Sequence, residues 1–297
     1  MACVDCFSGH VHTATPTGRS ETIHGIPTYV AEPDAGSPPK GLVIVISDAF
    51  GWSFSNIRVL ADEYAKKGGL LVYVPDFMMG IAMPVDSMET MAAITAPAPW
   101  TTTLLYKPVW VFRAIMTAVP WWIKTRISVC QPRIFSYLSS IRTSAPPFET
   151  AKLKIGVAGF CWGGKHAFLL AADPSGSRVA RYTSSSRSGE GQAAIEPLID
   201  CAFTAHPSFI DVPKDCENAS VPLSVTVGDV DMMMKREQIV TMKEILEVKK
   251  RGDHEVVVIP GATHGFAVRL DPKDEFMVGC ADKAETQALA WFEKHLS

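Results

Sequence analysis

The chain has 297 residues, 47% hydrophobic and 20% charged, the make-up of an ordinary globular protein with ample material for a core. A formal net charge of −3 excludes a partner bound through overall basicity, so no nucleic-acid surface is expected. The seven cysteines are odd in number and scattered, unlike a disulfide framework, and suit a reducing compartment. No basic start or apolar leader opens the chain, so the cytoplasm is the expected location.

Residues 1–21 are polar and read as a surface wrap. Cys3, Cys6, His10 and His12 are too cramped for zinc-finger spacing, so no metal is expected there. Residues 22–31 alternate weakly and suggest a hairpin strand around Gly25, followed by a Pro/Gly/Ser turn. Gly41-Leu42-Val43-Ile44-Val45-Ile46-Ser47 is a continuous apolar run of strand length, the mark of a parallel strand covered on both faces. An amphipathic helix over 56–67 and a strand over 70–76 complete a right-handed crossover unit.

Residues 78–150 break that rhythm. They carry methionines, prolines and the aromatics around Trp110 and Trp121-Trp122. Lys107, Arg113, Lys124, Pro108 and Pro120 leave no apolar stretch of about 20 residues, so an integral membrane span is not expected. A helical insertion over the sheet is expected, forming a lid or the wall of an apolar pocket; contact with a membrane surface is the alternative, because basic residues flank the aromatics.

The centre of the pattern is Gly159-Phe160-Cys161-Trp162-Gly163-Gly164, between a buried strand and a helix start. Glycines two before and two after a nucleophile let the chain turn sharply and hold the apex side chain at the strand's carboxyl end. The new helix aims N–H groups and its positive dipole end at the thiol, which favours thiolate. A buried structural cysteine is the plainer alternative. Residues 173–192, rich in Ser, Gly and Arg, read as a mobile surface loop. Strands follow at 200–207, 223–228 and 255–260, with helices over 235–250 and 281–296.

Cys161, Asp231 and His264 each fall just past a predicted strand, in the order nucleophile, acid, histidine. In a parallel sheet those ends share one edge. The histidine takes and returns the thiol proton, and the carboxylate fixes its tautomer. Asp229 competes for the acid role and His206 for the base. Backbone N–H groups of Trp162 and Ala49 are the expected oxyanion donors. A single α/β domain spanning 1–297 is expected, as monomer or homodimer.

Taken together, Ser47-Asp48-Ala49-Phe50-Gly51, the Cys161 elbow, Gly228-Asp229-Val230-Asp231 and Gly261-Ala262-Thr263-His264-Gly265-Phe266 resemble the dienelactone hydrolase family of α/β-hydrolases. Cys6-Phe7-Ser8-Gly9 and the long insertion resemble its fungal members. The resemblance implies an α/β-hydrolase fold, a mostly parallel sheet with helices on both faces. It implies hydrolysis of an enol-lactone or related activated ester through a thioester acyl-enzyme, without cofactor. A thioesterase or cyclase on the same triad, and a non-catalytic small-molecule binder, are the alternatives. It also supports Asp231 as the acid, makes Asp48 a thiol-orienting residue, and marks Phe50, Phe266 and Arg269 as substrate contacts. Two departures stand out. The family member that opens dienelactone carries a glutamate where Asp48 stands, and the family clamps its substrate carboxylate with two arginines. Arg269 stands near one of these, but no Lys or Arg occurs from Gly68 to Tyr106 for the other. A larger, more apolar substrate than a small dicarboxylate is therefore expected, such as a polyketide-type lactone or ester.

Overall fold

The computed structural model describes residues 10–11, 14–182, 195–248, 253–269 and 271–297. Strands β1 (Arg19–Ile23) and β2 (Ile26–Ala31) form a hairpin turned by His24 and Gly25, both at positive φ. Strand β3 (Leu42–Ile46), helix α1 (Ser55–Gly68) and strand β4 (Leu71–Pro75) form the first crossover. Helix α1 ends because Gly69 turns left-handed at φ 65° and returns its N–H to Ala65 O.

Between β4 and the next strand stand α2 (Asp86–Thr95), α3 (Trp100–Leu105), α4 (Lys107–Lys124) and α5 (Ile127–Thr143). Strand β5 (Ile155–Phe160) and helix α6 (Trp162–Ala171) follow. A short ladder pairs β6 (Val179–Ala180) with β7 (Ile195–Glu196). The chain closes with β8 (Cys201–Ala205), α7 (Lys214–Asn218), β9 (Leu223–Gly228), α8 (Arg236–Val248), β10 (His254–Ile259) and α9 (Glu275–Leu296).

One eight-stranded sheet runs β1-β2-β4-β3-β5-β8-β9-β10. The two pairings made by β2 are antiparallel, and the rest of the ladder, from β4 to β10, is parallel. Strands β3, β4, β5, β8 and β9 are buried along their whole length, which is why they read as unbroken apolar runs. The edge strand β10 is only partly covered, with Val256 and Ile259 buried. Because β3, β5, β8, β9 and β10 run the same way, their exit loops gather at one edge.

The segment expected as one insertion over 78–150 divides by packing. Helix α5 buries Cys130, Ile134, Tyr137, Leu138 and Ile141 in the main core, and Tyr137 Oη lies 3.3 Å from Thr28 Oγ1 of β2. It acts as a crossover helix into β5. Helices α2 to α4 are the part that stands outside the layers, and α4 buries only Trp121. Pro108 falls in the first turn of α4, where its missing N–H is tolerated, and the helix continues through Pro120. Among the described residues, no helix is long and apolar enough to cross a membrane.

Helix α9 begins earlier than its apolar pattern indicates. Asp274 caps it, accepting from the N–H groups of Phe276 and Met277 at 3.1 Å each. Cys3, Cys6 and His12 of the N-terminal cluster, and positions 183–192 of the expected loop, lie outside the described residues.

Candidate active site

The site is built by close backbone approaches at the sheet's exit edge. In the β3–β5 register Ile46 pairs with Gly159. Ser47-Asp48-Ala49 and Phe160-Cys161-Trp162 therefore leave adjacent parallel strands side by side. The fit is tight enough to demand glycine. A Cβ on Gly163 would stand 2.0 Å from Ile46 O, and one on Gly159 would stand 2.5 Å from Gly163 O. Cys161 at the apex has φ 50° and ψ −110°, a strained conformation for a side chain with Cβ. Two backbone hydrogen bonds hold the turn against β8 and its exit: Cys161 N to Ala205 O at 3.4 Å and Ser208 N to Cys161 O at 2.9 Å.

The same device joins the acid and histidine loops. A Cβ on Gly228 would stand 1.9 Å from Ala262 O, so the chain leaving β9 touches the chain leaving β10. His264 Nδ1 lies 2.9 Å from Asp231 Oδ2 and 3.0 Å from Oδ1. Asp229 is occupied elsewhere: its Oδ1 accepts the N–H of Gly261 at 2.6 Å and shapes the histidine loop. Cys161, Asp231 and His264 are all buried. Asp231 is further fixed by accepting the N–H of Met233 at 2.8 Å.

A side chain absent from the sequence reading joins the group. Ser208 Oγ lies 3.4 Å from Cys161 Sγ and 3.4 Å from His264 Nε2. Ser208 thus stands between the thiol and the imidazole. Burial alone would push the His264 imidazole down, but the sulfur's charge and the Asp231 carboxylate outweigh it and raise it to about 10.

His206, the rival base, is a core ring. It packs edge-on against His264 with centroids 5.1 Å apart, and neither of its nitrogens has a partner. Burial, with the neighbouring His264, drives its pKa well below the usual value, so it stays neutral.

Asp48 lies wholly buried beside the thiol, accepts the Phe50 N–H at 3.0 Å, and stands 3.5 Å from Arg269 Nε. Burial pushes its carboxyl up to about 6, with Arg269 opposing and the Cys161 sulfur adding to the shift. The expected substrate contacts fare differently. Arg269 is buried against Asp48 and over the Phe50 ring, 5.3 Å from its centroid. Phe266 packs beneath His206 with centroids 5.5 Å apart. Arg269, Phe50 and Phe266 line none of the described cavities. All three pack around the loops that carry Cys161 and His264.

The open space lies toward α4. A cavity of about 310 Å³ is bounded by Trp121, Trp122 and Arg126 on one side and by Trp162 and Phe209, neighbours of Cys161 and Ser208, on the other. Trp162 Nε1 donates to Thr125 O at 3.0 Å, which fastens the end of α4 to the elbow. Beyond the two tryptophans a larger cavity of about 540 Å³ is lined by apolar side chains and Ser87. Ala49 O accepts the N–H of Met83, which also lines this larger cavity, at 2.8 Å.

Comparison with known proteins agrees with this architecture. A model of the dienelactone hydrolase family matches residues 129–296. The hydrolase tropI of Talaromyces stipitatus is 25% identical, covering 98% of this chain and 95% of its own. The hydrolase pyvD of Aspergillus violaceofuscus is 26% identical, covering 98% and 96%. In fold, the chain matches the crystal structure of a dienelactone hydrolase, itself described as putative, from Klebsiella pneumoniae. The TM-score is 0.59 at 19% identity, over 93% of this chain and 98% of that one. With its mostly parallel sheet and helical layers, the chain has the α/β-hydrolase fold and belongs to the dienelactone hydrolase family, hydrolases acting on lactone and ester bonds.

Proposed function

We propose that the chain hydrolyses a lactone or activated ester through a thioester on Cys161, with His264 as proton carrier and Asp231 as its orienting carboxylate. The observation that carries this reading is the chain of contacts from Asp231 through His264 and the Ser208 hydroxyl to the thiol. The Cys161 thiolate attacks the carbonyl carbon. The C–O bond to the leaving oxygen breaks, and the His264 imidazolium gives that oxygen its proton. In a lactone the new hydroxyl or enol stays tethered to the acyl group. Water then attacks the thioester, His264 takes its proton, and the thiolate leaves. The N–H of Trp162, free of an intrahelical acceptor at the start of α6, and the N–H of Ala49 on the adjacent exit loop are the proposed oxyanion donors. This chemistry needs no cofactor.

The substrate class follows from the cavities. Lys and Arg are absent from the lining of the larger one, and Arg126 is the cation at the smaller. A neutral, apolar lactone or ester fits that lining better than a short dicarboxylate, and a polyketide-derived compound of a biosynthetic pathway has this character. The test is hydrolysis of aryl esters and enol-lactones by wild type, Cys161→Ala and Cys161→Ser. Loss of activity in Cys161→Ala, with trapping of an acyl group on wild-type Cys161, is expected. Activity surviving in Cys161→Ala would overturn the proposal.

A further inference from the structure

Helices α3 and α4 present an apolar surface that the rest of the fold leaves open. Of the twenty-two exposed large hydrophobic residues among those described, twelve fall between Trp100 and Ile123. Six of them, Leu105, Val109, Phe112, Met116, Val119 and Ile123, recur at intervals of four and three. The five from Val109 to Ile123 form one stripe along α4, roughly 27 Å long, and Leu105 at the end of α3 leads into it. Each is about half exposed or more, from 48% for Val119 to 63% for Leu105. An apolar face of this extent marks a site of association.

Charge identifies the occupant. From Thr90 to Phe148 the chain has no Asp or Glu and six Lys or Arg. Arg142 is buried against Asp200, and Arg133 donates to Phe77 O. Arg113, Lys124 and Arg126 remain exposed along or beside the stripe. Trp100 and Tyr106 at one end and Trp122 at the other are exposed too, the residue types that settle at the headgroup level of a bilayer. Two copies of the stripe facing each other would oppose like charges with no acid in the segment to pair them. Anionic headgroups supply the missing charge.

We infer that α3 and α4 dock this protein on the surface of an anionic lipid bilayer, with the stripe in the acyl boundary and Arg113 and Lys124 on headgroup phosphates. The contact uses no residue of the catalytic loops and does not depend on the triad. Val119 at the margin of the stripe, with Ala114, Ala118 and Trp121 beside it on α4, lines the larger cavity. Docking therefore sets that cavity beside the bilayer.

The test is flotation of the full chain with vesicles of phosphatidylcholine alone and of phosphatidylcholine with phosphatidylglycerol. Wild type and Cys161→Ala are both expected to float with the anionic vesicles. Raising salt from about 0.1 M to 1 M, which shortens the screening length from about 10 Å to 3 Å, is expected to release them in part. Phe112→Glu/Met116→Glu is expected to lose flotation while retaining wild-type hydrolysis of a water-soluble ester and a wild-type melting curve. Arg113→Glu/Lys124→Glu is expected to lower binding to anionic vesicles roughly tenfold or more and leave binding to neutral ones unchanged. Wild type remaining with the unbound protein in both vesicle types would overturn the inference. So would a wild-type dimer in sedimentation that Phe112→Glu/Met116→Glu converts to monomer, since a second copy would then cover the stripe. If either variant fails to melt cooperatively, the wild-type comparison of the two vesicle types decides.

Discussion

Gly228→Ala tests whether the contact between the β9 and β10 exit loops sets the catalytic geometry. Residue 228 touches neither the thiol nor the imidazole. Its added Cβ would stand 1.9 Å from Ala262 O, where about 3.0 Å is the floor for such an approach. The loops must therefore part by at least about 1.1 Å. Asp231 lies three residues along one loop and His264 two residues along the other, and their 2.9 Å contact crosses the gap. A misplacement of about 1 Å lowers catalysis by roughly 10²-fold, and overpacking of this kind costs about 1–3 kcal/mol of stability. The assay is kcat/KM on an activated aryl ester, with thermal unfolding beside it. Gly279→Ala is the control: a Cβ at that site in α9 meets nothing within 4 Å, and helix propensity favours the change by about 1 kcal/mol. The expected result is a fall of about a hundredfold for Gly228→Ala and unchanged activity with a slightly raised Tm for Gly279→Ala. Activity of Gly228→Ala within threefold of wild type would refute the claim that this glycine holds acid and base together.

Asp231→Asn removes one of the two charges that lift His264 to about 10 against its burial, so its titration is expected to move down, read by NMR of the imidazole, with kcat/KM falling roughly 10²–10⁴-fold. Ser208→Ala deletes the hydroxyl lying 3.4 Å from both Sγ and Nε2; kcat is expected to fall about tenfold at unchanged KM, as for a proton-positioning group. Asp48 ionises as pH rises through about 6, and its negative charge then opposes the thiolate beside it. The rate at which Cys161 is alkylated is expected to bend downward near pH 6 in wild type. In Asp48→Asn the bend disappears and alkylation above pH 6 is several-fold faster; persistence of the bend would assign it to another group.

The exit edge of the sheet was legible because buried parallel strands write themselves as unbroken apolar runs. The residues just past β5, β9 and β10 could be placed from those runs alone. Ser208 was not legible. It reaches the thiol only because His206 and Phe209 take positive φ, at 41° and 63°, and because its N–H binds Cys161 O. Nothing in His206-Pro207-Ser208 announces that. The inward packing of Phe50, Phe266 and Arg269 was not legible for a related reason. Nearness in sequence to a catalytic loop does not say which side of the loop a side chain takes, and Gly265 leaves room for Arg269 to turn inward: a Cβ there would stand 2.3 Å from Nη2. The start of the insertion was visible as a change in composition. Its end was not, because α5 follows α4 after two residues and carries an internal proline as α4 does, while burying Ile134, Tyr137, Leu138 and Ile141.

The placement of Arg269 carries a prediction about selectivity. A guanidinium 1% exposed in its side chain and facing a carboxylate equally buried is committed to that carboxylate. It is not free to bind an acidic substrate. The larger cavity has no cation in its lining, so a carboxylated acyl group would enter it with its charge unpaired. Such burial costs several kcal/mol even after relaxation, and each 1.4 kcal/mol is a factor of ten. For a matched pair of esters of equal acyl length, one ending in methyl and one in carboxylate, kcat/KM is expected to favour the methyl ester at least about a hundredfold at pH 7. Protonation returns the acid to a neutral form, so the ratio is expected to narrow as pH falls toward the carboxyl pKa near ~4. Equal or better turnover of the carboxylate at pH 7 would refute this. Arg126, on the wall of the smaller cavity beside Trp162, would then be the cation to mutate. Loss of the carboxylate's advantage in Arg126→Gln would show that selection rests on that wall and not on the apolar chamber behind it.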